Sequence, residues 1–160
     1  MPFLLRSVRE NRWLKAEAEP WLERGEVPAD PLADLQTQGN RLSVWEVEGD
    51  RSNLERVVRA LAANRERLAD TGYVLFDSNL LTDAGVVATF ERGNTADEEA
   101  NSWHRDLIDL SGDKLVLLAR LILQNGESGR ILKKRLEELV EDGIQQKQLL
   151  PEKIRLKTRQ

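Results

Sequence analysis

His104 is the single histidine of the chain, and it stands in the run Trp103-His104-Arg105-Asp106. Imidazole changes charge near neutral pH, so a lone histidine is first weighed as a general base. Asp106, or a remote carboxylate such as Asp77, would then orient the ring. No nucleophile and no glycine-rich turn stands beside it. A ring packed at the margin of the core, with one nitrogen on water or a backbone carbonyl, therefore ranks ahead of catalysis.

Asp77 ends the apolar run Tyr73-Val74-Leu75-Phe76. Ligands bind at strand ends in α/β sheets, and an acid there could hold Mg²⁺. The same carboxylate could equally cap the Ser78-Asn79-Leu80-Leu81 turn. Asp50, Asp83, Glu98 and Glu99 are the acids available to complete a metal shell, but their spacing matches no metal loop, so no metal and no cofactor is assigned. Gly93-Asn94-Thr95 precedes an expected helix start that could meet an anion, yet one glycine makes no phosphate loop and Glu98 and Glu99 would repel phosphate. P-loop, dinucleotide-binding, nucleophile-elbow, zincin and EF-hand patterns are all absent from the sequence.

Two further groups could act by binding. Trp13 and Trp21 are interface-type residues, although core packing explains most tryptophans. The chain has a net charge of −4, yet from Arg130 onward nine Lys or Arg face five Asp or Glu, a local +4 that leaves −8 on the rest. Lys133, Lys134 and Arg135 cluster, and Lys153, Arg155, Lys157 and Arg159 alternate with Ile154 and Leu156. Such a segment could touch phosphates. It has no interleaved aromatic for base stacking, so a solvated tail or a charge-blunted edge strand is preferred.

These residues must be held by a frame that composition bounds. The 160 residues, 40% hydrophobic and 32% charged, suit one domain with a full core. With no cysteine there are no disulfides, thiolate metal sites or thiol nucleophiles. The longest later apolar run, Leu115 to Ala119, is far short of a membrane span, and the N-terminus does not read as a signal peptide, so a soluble cytoplasmic protein is expected.

Residues 1–41 read as an irregular wrap, because Pro20, Pro28 and Pro31 interrupt regular structure, with a strand at most near Phe3–Val8 and one or two helical turns over Asp30–Leu35, where Asp30 is an N-cap and Pro31 the first helical residue. Residues 42–91 read as βαββ. A strand over Leu42–Glu48 leads to a helix whose apolar face is Leu54, Val57, Val58, Leu61 and Leu68. Arg56, Arg59 and Arg65 lie on its solvated side. A strand at Tyr73–Asp77 closes a right-handed βαβ unit, and Val86–Phe90 is its hairpin partner.

Residues 95–148 read as three helices. The first has the stripe Ala100, Trp103, Leu107 and Leu110, the second is a central buried helix at Lys114–Gln124, and the third spans about Ser128–Gln148. Residues 149–160 form a basic tail. The expected fold class is α/β (α+β): a small mixed sheet of three to four strands, a crossover helix and a C-terminal three-helix layer. A non-catalytic interaction protein (accessory subunit, adaptor or neutralising partner) ranks first, with another protein as its partner and a homo-oligomer left open. A nucleic-acid accessory role through the basic C-terminus ranks second, and an enzyme built on His104 or Asp77 third.

Overall fold

A computed structural model of the chain describes residues 2–157. They form a mixed α/β fold around one six-stranded, fully antiparallel sheet. The strands are β1 (Phe3–Val8), β2 (Leu42–Val47), β3 (Thr71–Asp77), β4 (Val87–Phe90), β5 (His104–Ile108) and β6 (Glu127–Ile131). Their order across the sheet is β4-β5-β2-β1-β3-β6. The helices are α1 (Lys15–Glu23), α2 (Ala29–Asp34), α3 (Leu54–Ala63), α4 (Leu80–Ala84), α5 (Glu98–Asn101), α6 (Gly112–Asn125) and α7 (Lys133–Gln145).

The segment expected to be irregular supplies the central strand. β1 lies between β2 and β3 and pairs antiparallel with both, Leu5 opposite Trp45 on one side and Leu75 on the other. β2 and β3 are therefore parallel to each other but split by β1, which corrects the simple βαβ unit. Pro20 also sits inside α1 rather than breaking it. Ala16, whose carbonyl loses the proline N–H four residues on, is exposed, so water can take that bond.

Helices cover both faces of the sheet. On the front face α1, α2, α4 and α6 bury Leu4, Val44, Val74, Phe76 and Leu107. On the back face α3, α5 and α7 bury Leu5, Trp45, Val47 and Leu75. Strands sandwiched in this way need apolar side chains on both sides, which is why Val74-Leu75-Phe76 is continuous rather than alternating. At roughly 1.5–3 kcal/mol for each fully buried large side chain, this double burial is the main stabilising contribution.

Five further expectations are corrected. The sheet has six strands instead of three or four. β4 pairs with β5, on the opposite side of the sheet from β3, so the 73–90 hairpin does not form. The expected helix through His104 is only the single turn α5, capped by Asp97 accepting from Glu99 and Ala100 N–H, followed by β5. The expected third helix divides into edge strand β6 and α7, and α6 is a front-face helix with Val116 and Leu117 exposed rather than a central one. A C-terminal three-helix layer therefore does not exist.

α3 ends at Ala63, before Arg65 and Leu68, and Arg59 on it is buried rather than solvated. Its guanidinium meets Asp97, itself fully buried, at 3.1 Å and Gln148 at 2.8 Å, while Arg56 grips the same carboxylate at 2.7 and 3.0 Å. Desolvation pushes the Asp97 pKa up, but the bonds from Arg56, the Ala100 N–H and Arg59 outweigh it and leave the carboxyl below its ordinary value. This network ties α3, α5 and the chain after α7 together.

The basic tail is docked. Leu149 is buried, Ile154 and Leu156 pack on it, and Arg155 and Lys157 N–H bond the Ala63 and Glu66 carbonyls. Among the described residues no helix is long and apolar enough to cross a membrane.

Candidate functional site

Residues that alternate along a strand share a face, so His104 and Asp106 both look to the back of the sheet, beside Trp45 and Ser43 of the neighbouring β2. His104 is buried, with its ring edge-on to Trp45 at a centroid distance of 4.9 Å. Its Nδ1 lies 2.5 Å from the Glu91 carbonyl oxygen, an acceptor only, so Nδ1 carries the proton there. Nε2 is left 3.6 Å from Asp106 Oδ1. Ser43 Oγ and the Arg41 guanidinium, each at 3.4 Å, donate to the same carboxylate.

The arrangement does not assemble a nucleophile. Ser43 is bonded to Asp106, not to His104, and Asp106 faces the outer imidazole nitrogen rather than orienting the inner one. Asp77 lies three strand spacings away, roughly 14 Å across the sheet, and is displaced further along the strands. It accepts the Asn79 N–H at 2.8 Å, which is the turn-capping role. Among the described residues no group of three or more His, Asp or Glu is placed to hold a metal ion.

Two clefts open at this end of the sheet. The smaller, about 370 Å³, lies past the end of α3 and is lined by Ser43, Trp45, Asn64, Asn94 and His104. Gly93 forms its outer wall. A Cβ there would stand 2.6 Å from the Trp45 ring, so only glycine allows the 91–97 loop to close on the indole. The larger cleft, about 900 Å³, lies between the 3₁₀ turn Glu10–Trp13, α2 and the start of β3, with Arg9, Arg12, Arg65 and Arg130 on its walls. Ser7 borders both.

The binding candidates separate. Trp13 is buried and donates its indole N–H to Asp34 at 3.0 Å, so it serves the core. Trp21 is 43% exposed beneath the Arg24 guanidinium. In the basic group, Lys133 faces Glu137, Arg135 binds Glu55 and Glu138, Lys153 binds Glu98, and Lys157 binds Glu66. Lys134 and Arg155 have no carboxylate within 4 Å among the described residues, and Arg159 lies outside the described residues.

A second kind of surface escaped sequence reading. β4, Val87-Ala88-Thr89-Phe90, is an edge strand bonded, among the described residues, only to β5, with Val87 60% and Phe90 57% exposed. The opposite edge, β6, carries Glu127 and Arg130. β4 carries no charge and no proline. Its apolar residues gave the clue, but they read equally well as half of a buried hairpin.

No protein-family model matches the chain, no curated protein matches it, and no solved structure matches it.

Proposed function

We propose that this chain is a non-catalytic interaction protein that seats an extended segment of a partner protein along β4. The unguarded edge carries the reading. Sheets ordinarily protect a free edge with charge, proline or a bulge, because its outward N–H and C=O groups are a template for another strand. β4, four residues long, carries no charge and no proline of its own and exposes Val87 and Phe90 on opposite faces, Phe90 beneath the Arg105 guanidinium at 5.1 Å, where a docked strand would bring its own alternating side chains. The enzyme reading has less support, since Ser43 and His104 Nδ1 are already engaged. So has the nucleic-acid reading, since most of the basic C-terminal residues face carboxylates.

The test is affinity purification of the tagged chain with quantitative mass spectrometry, comparing wild type with the double variant Val87→Lys, Phe90→Lys. Both side chains are more than half exposed, so Val87→Lys should change stability by no more than about 0.5 kcal/mol, and Phe90→Lys, which gives up the Arg105 contact at 5.1 Å, by about 1 kcal/mol. A stoichiometric partner held by wild type and lost by the variant is the expected result. A partner held equally by both would place the interface elsewhere. Recovery of the chain itself would make the occupant a second copy.

A further inference from the structure

Most arginines of this chain stand within 4 Å of a carboxylate, as Arg12 does with Asp34 and Arg92 with Glu98. Arg6, Arg9 and Arg65 have none at that distance among the described residues, and all three border the two clefts. Arg65 is held at 2.9 Å on Ser7 Oγ and 3.2 Å on Thr71 Oγ1, so two neutral hydroxyls fix its fork while its charge stays uncompensated. Three carboxylates also line the larger cleft, and Glu10 among them lies 3.7 Å from Arg130. Asp34 takes bonds from the Arg9 N–H, Arg12 and Trp13, and Asp70 takes the Lys133 N–H. Arg6 donates to the Ser43 carbonyl at 3.0 Å, and its buried Nε has no partner. Burial lowers its pKa, against the pull of Asp34.

We infer that the two clefts form one site for a small phosphorylated ligand of nucleotide size. Its phosphate is held in the larger cleft by Arg9 and Arg65, and the remainder passes Ser7 into the smaller cleft beside Trp45, Asn64 and His104. A pre-fixed guanidinium fork without a counter-charge matches a multiply charged, multi-acceptor group such as phosphate. The cleft volumes, about 900 and 370 Å³, are those of small-molecule sites. The charge is local, in a chain of net −4, so a long polyanion would run out over carboxylates. The β4 edge stays free when the clefts are filled.

Isothermal titration at low salt tests this with AMP, inorganic phosphate and adenosine as probes. AMP is expected to bind, inorganic phosphate to bind more weakly, and adenosine not at all. Arg65→Gln and Arg9→Gln should each weaken AMP binding about tenfold or more, as loss of a charged hydrogen-bond donor does. Arg9 is exposed, so Arg9→Gln should keep the wild-type unfolding midpoint; Arg65→Gln gives up the Ser7 and Thr71 bonds and should lower it while the chain stays folded at the titration temperature. Arg67→Gln, exposed, without an ion-pair partner among the described residues and bordering neither cleft, should change nothing. Absence of AMP binding at about 5 mM overturns the proposal, as does adenosine binding as tightly as AMP, or equal affinity in Arg65→Gln. Inorganic phosphate binding as tightly as AMP overturns the two-cleft assignment.

Discussion

Replacing Asp97 by alanine removes one carboxylate from between two guanidinium groups, and the cost follows from where each is left. Arg56 is part-exposed and keeps Glu99 at 2.7 Å, so it loses little. Arg59 is 5% exposed and keeps only neutral partners, Gln148 and the Leu139 carbonyl. An uncompensated buried charge of this kind costs about 3–5 kcal/mol in total, and loss of the α5 cap accounts for about 1 kcal/mol of it. Asp97→Asn keeps the cap oxygen and should cost less than Asp97→Ala. Adding Arg59→Leu to Asp97→Ala should recover part of the loss, because the stranded charge goes with it. Urea unfolding followed by fluorescence of the four tryptophans measures all three variants. A loss below about 1 kcal/mol in Asp97→Ala would refute the reasoning, as would a double variant no more stable than the single one.

Acid should destabilise the wild type through the same group. The folded pKa of Asp97 lies below its unfolded value, so its contribution is full above about pH 4 and is lost as pH falls through the folded value. Unfolding midpoints measured between about pH 6 and 3 should therefore fall less steeply in Asp97→Asn than in wild type, and equal slopes would contradict the assignment. Gly93→Ala forces a methyl against the Trp45 ring and should cost about 1–3 kcal/mol in urea, with a shift in tryptophan emission; an unchanged midpoint would show that the loop yields freely. Leu5→Ala, in the central strand and fully buried, should cost about 3–5 kcal/mol, whereas half-buried Leu61→Ala should cost about 1–2; equal losses would misplace the core. Truncation after Leu150 should leave a folded sheet by circular dichroism but lower the midpoint, because Ile154 and Leu156 no longer cover Ala63 and Leu149.

What could be read from the sequence was mostly local. α3 declared itself by apolar spacing at Leu54, Val57, Val58 and Leu61, and β2 and β3 by β-branched and aromatic runs bounded by turns. The place of β1 was hidden because its partners, β2 and β3, lie some 40 and 70 residues away in sequence and no local signal encodes them. Ala100, Trp103, Leu107 and Leu110 kept helical spacing by coincidence across a one-turn helix and a strand, and this put His104 on the wrong element. His104 and Asp106 were visible as chain neighbours. Ser43, the Glu91 carbonyl and the Ser7–Arg65 contact depended on strand order and were not. Arg59 was misread because a charge at the margin of an apolar helical stripe ordinarily faces water, and its buried counter-charge comes from Asp97, 38 residues away.

Amide hydrogen exchange on the chain alone and in its purified partner complex tests the central claim most directly. In the free chain the outward-facing amides of Val87 to Phe90 have no strand to bond and should exchange quickly, faster than those of β1, which is paired on both sides. On complex formation, protection should rise at Val87–Phe90 and stay unchanged at Glu127–Ile131 on the opposite edge. Protection gained at β6 or around Trp21, with Val87–Phe90 exchanging as in the free chain, would contradict the account.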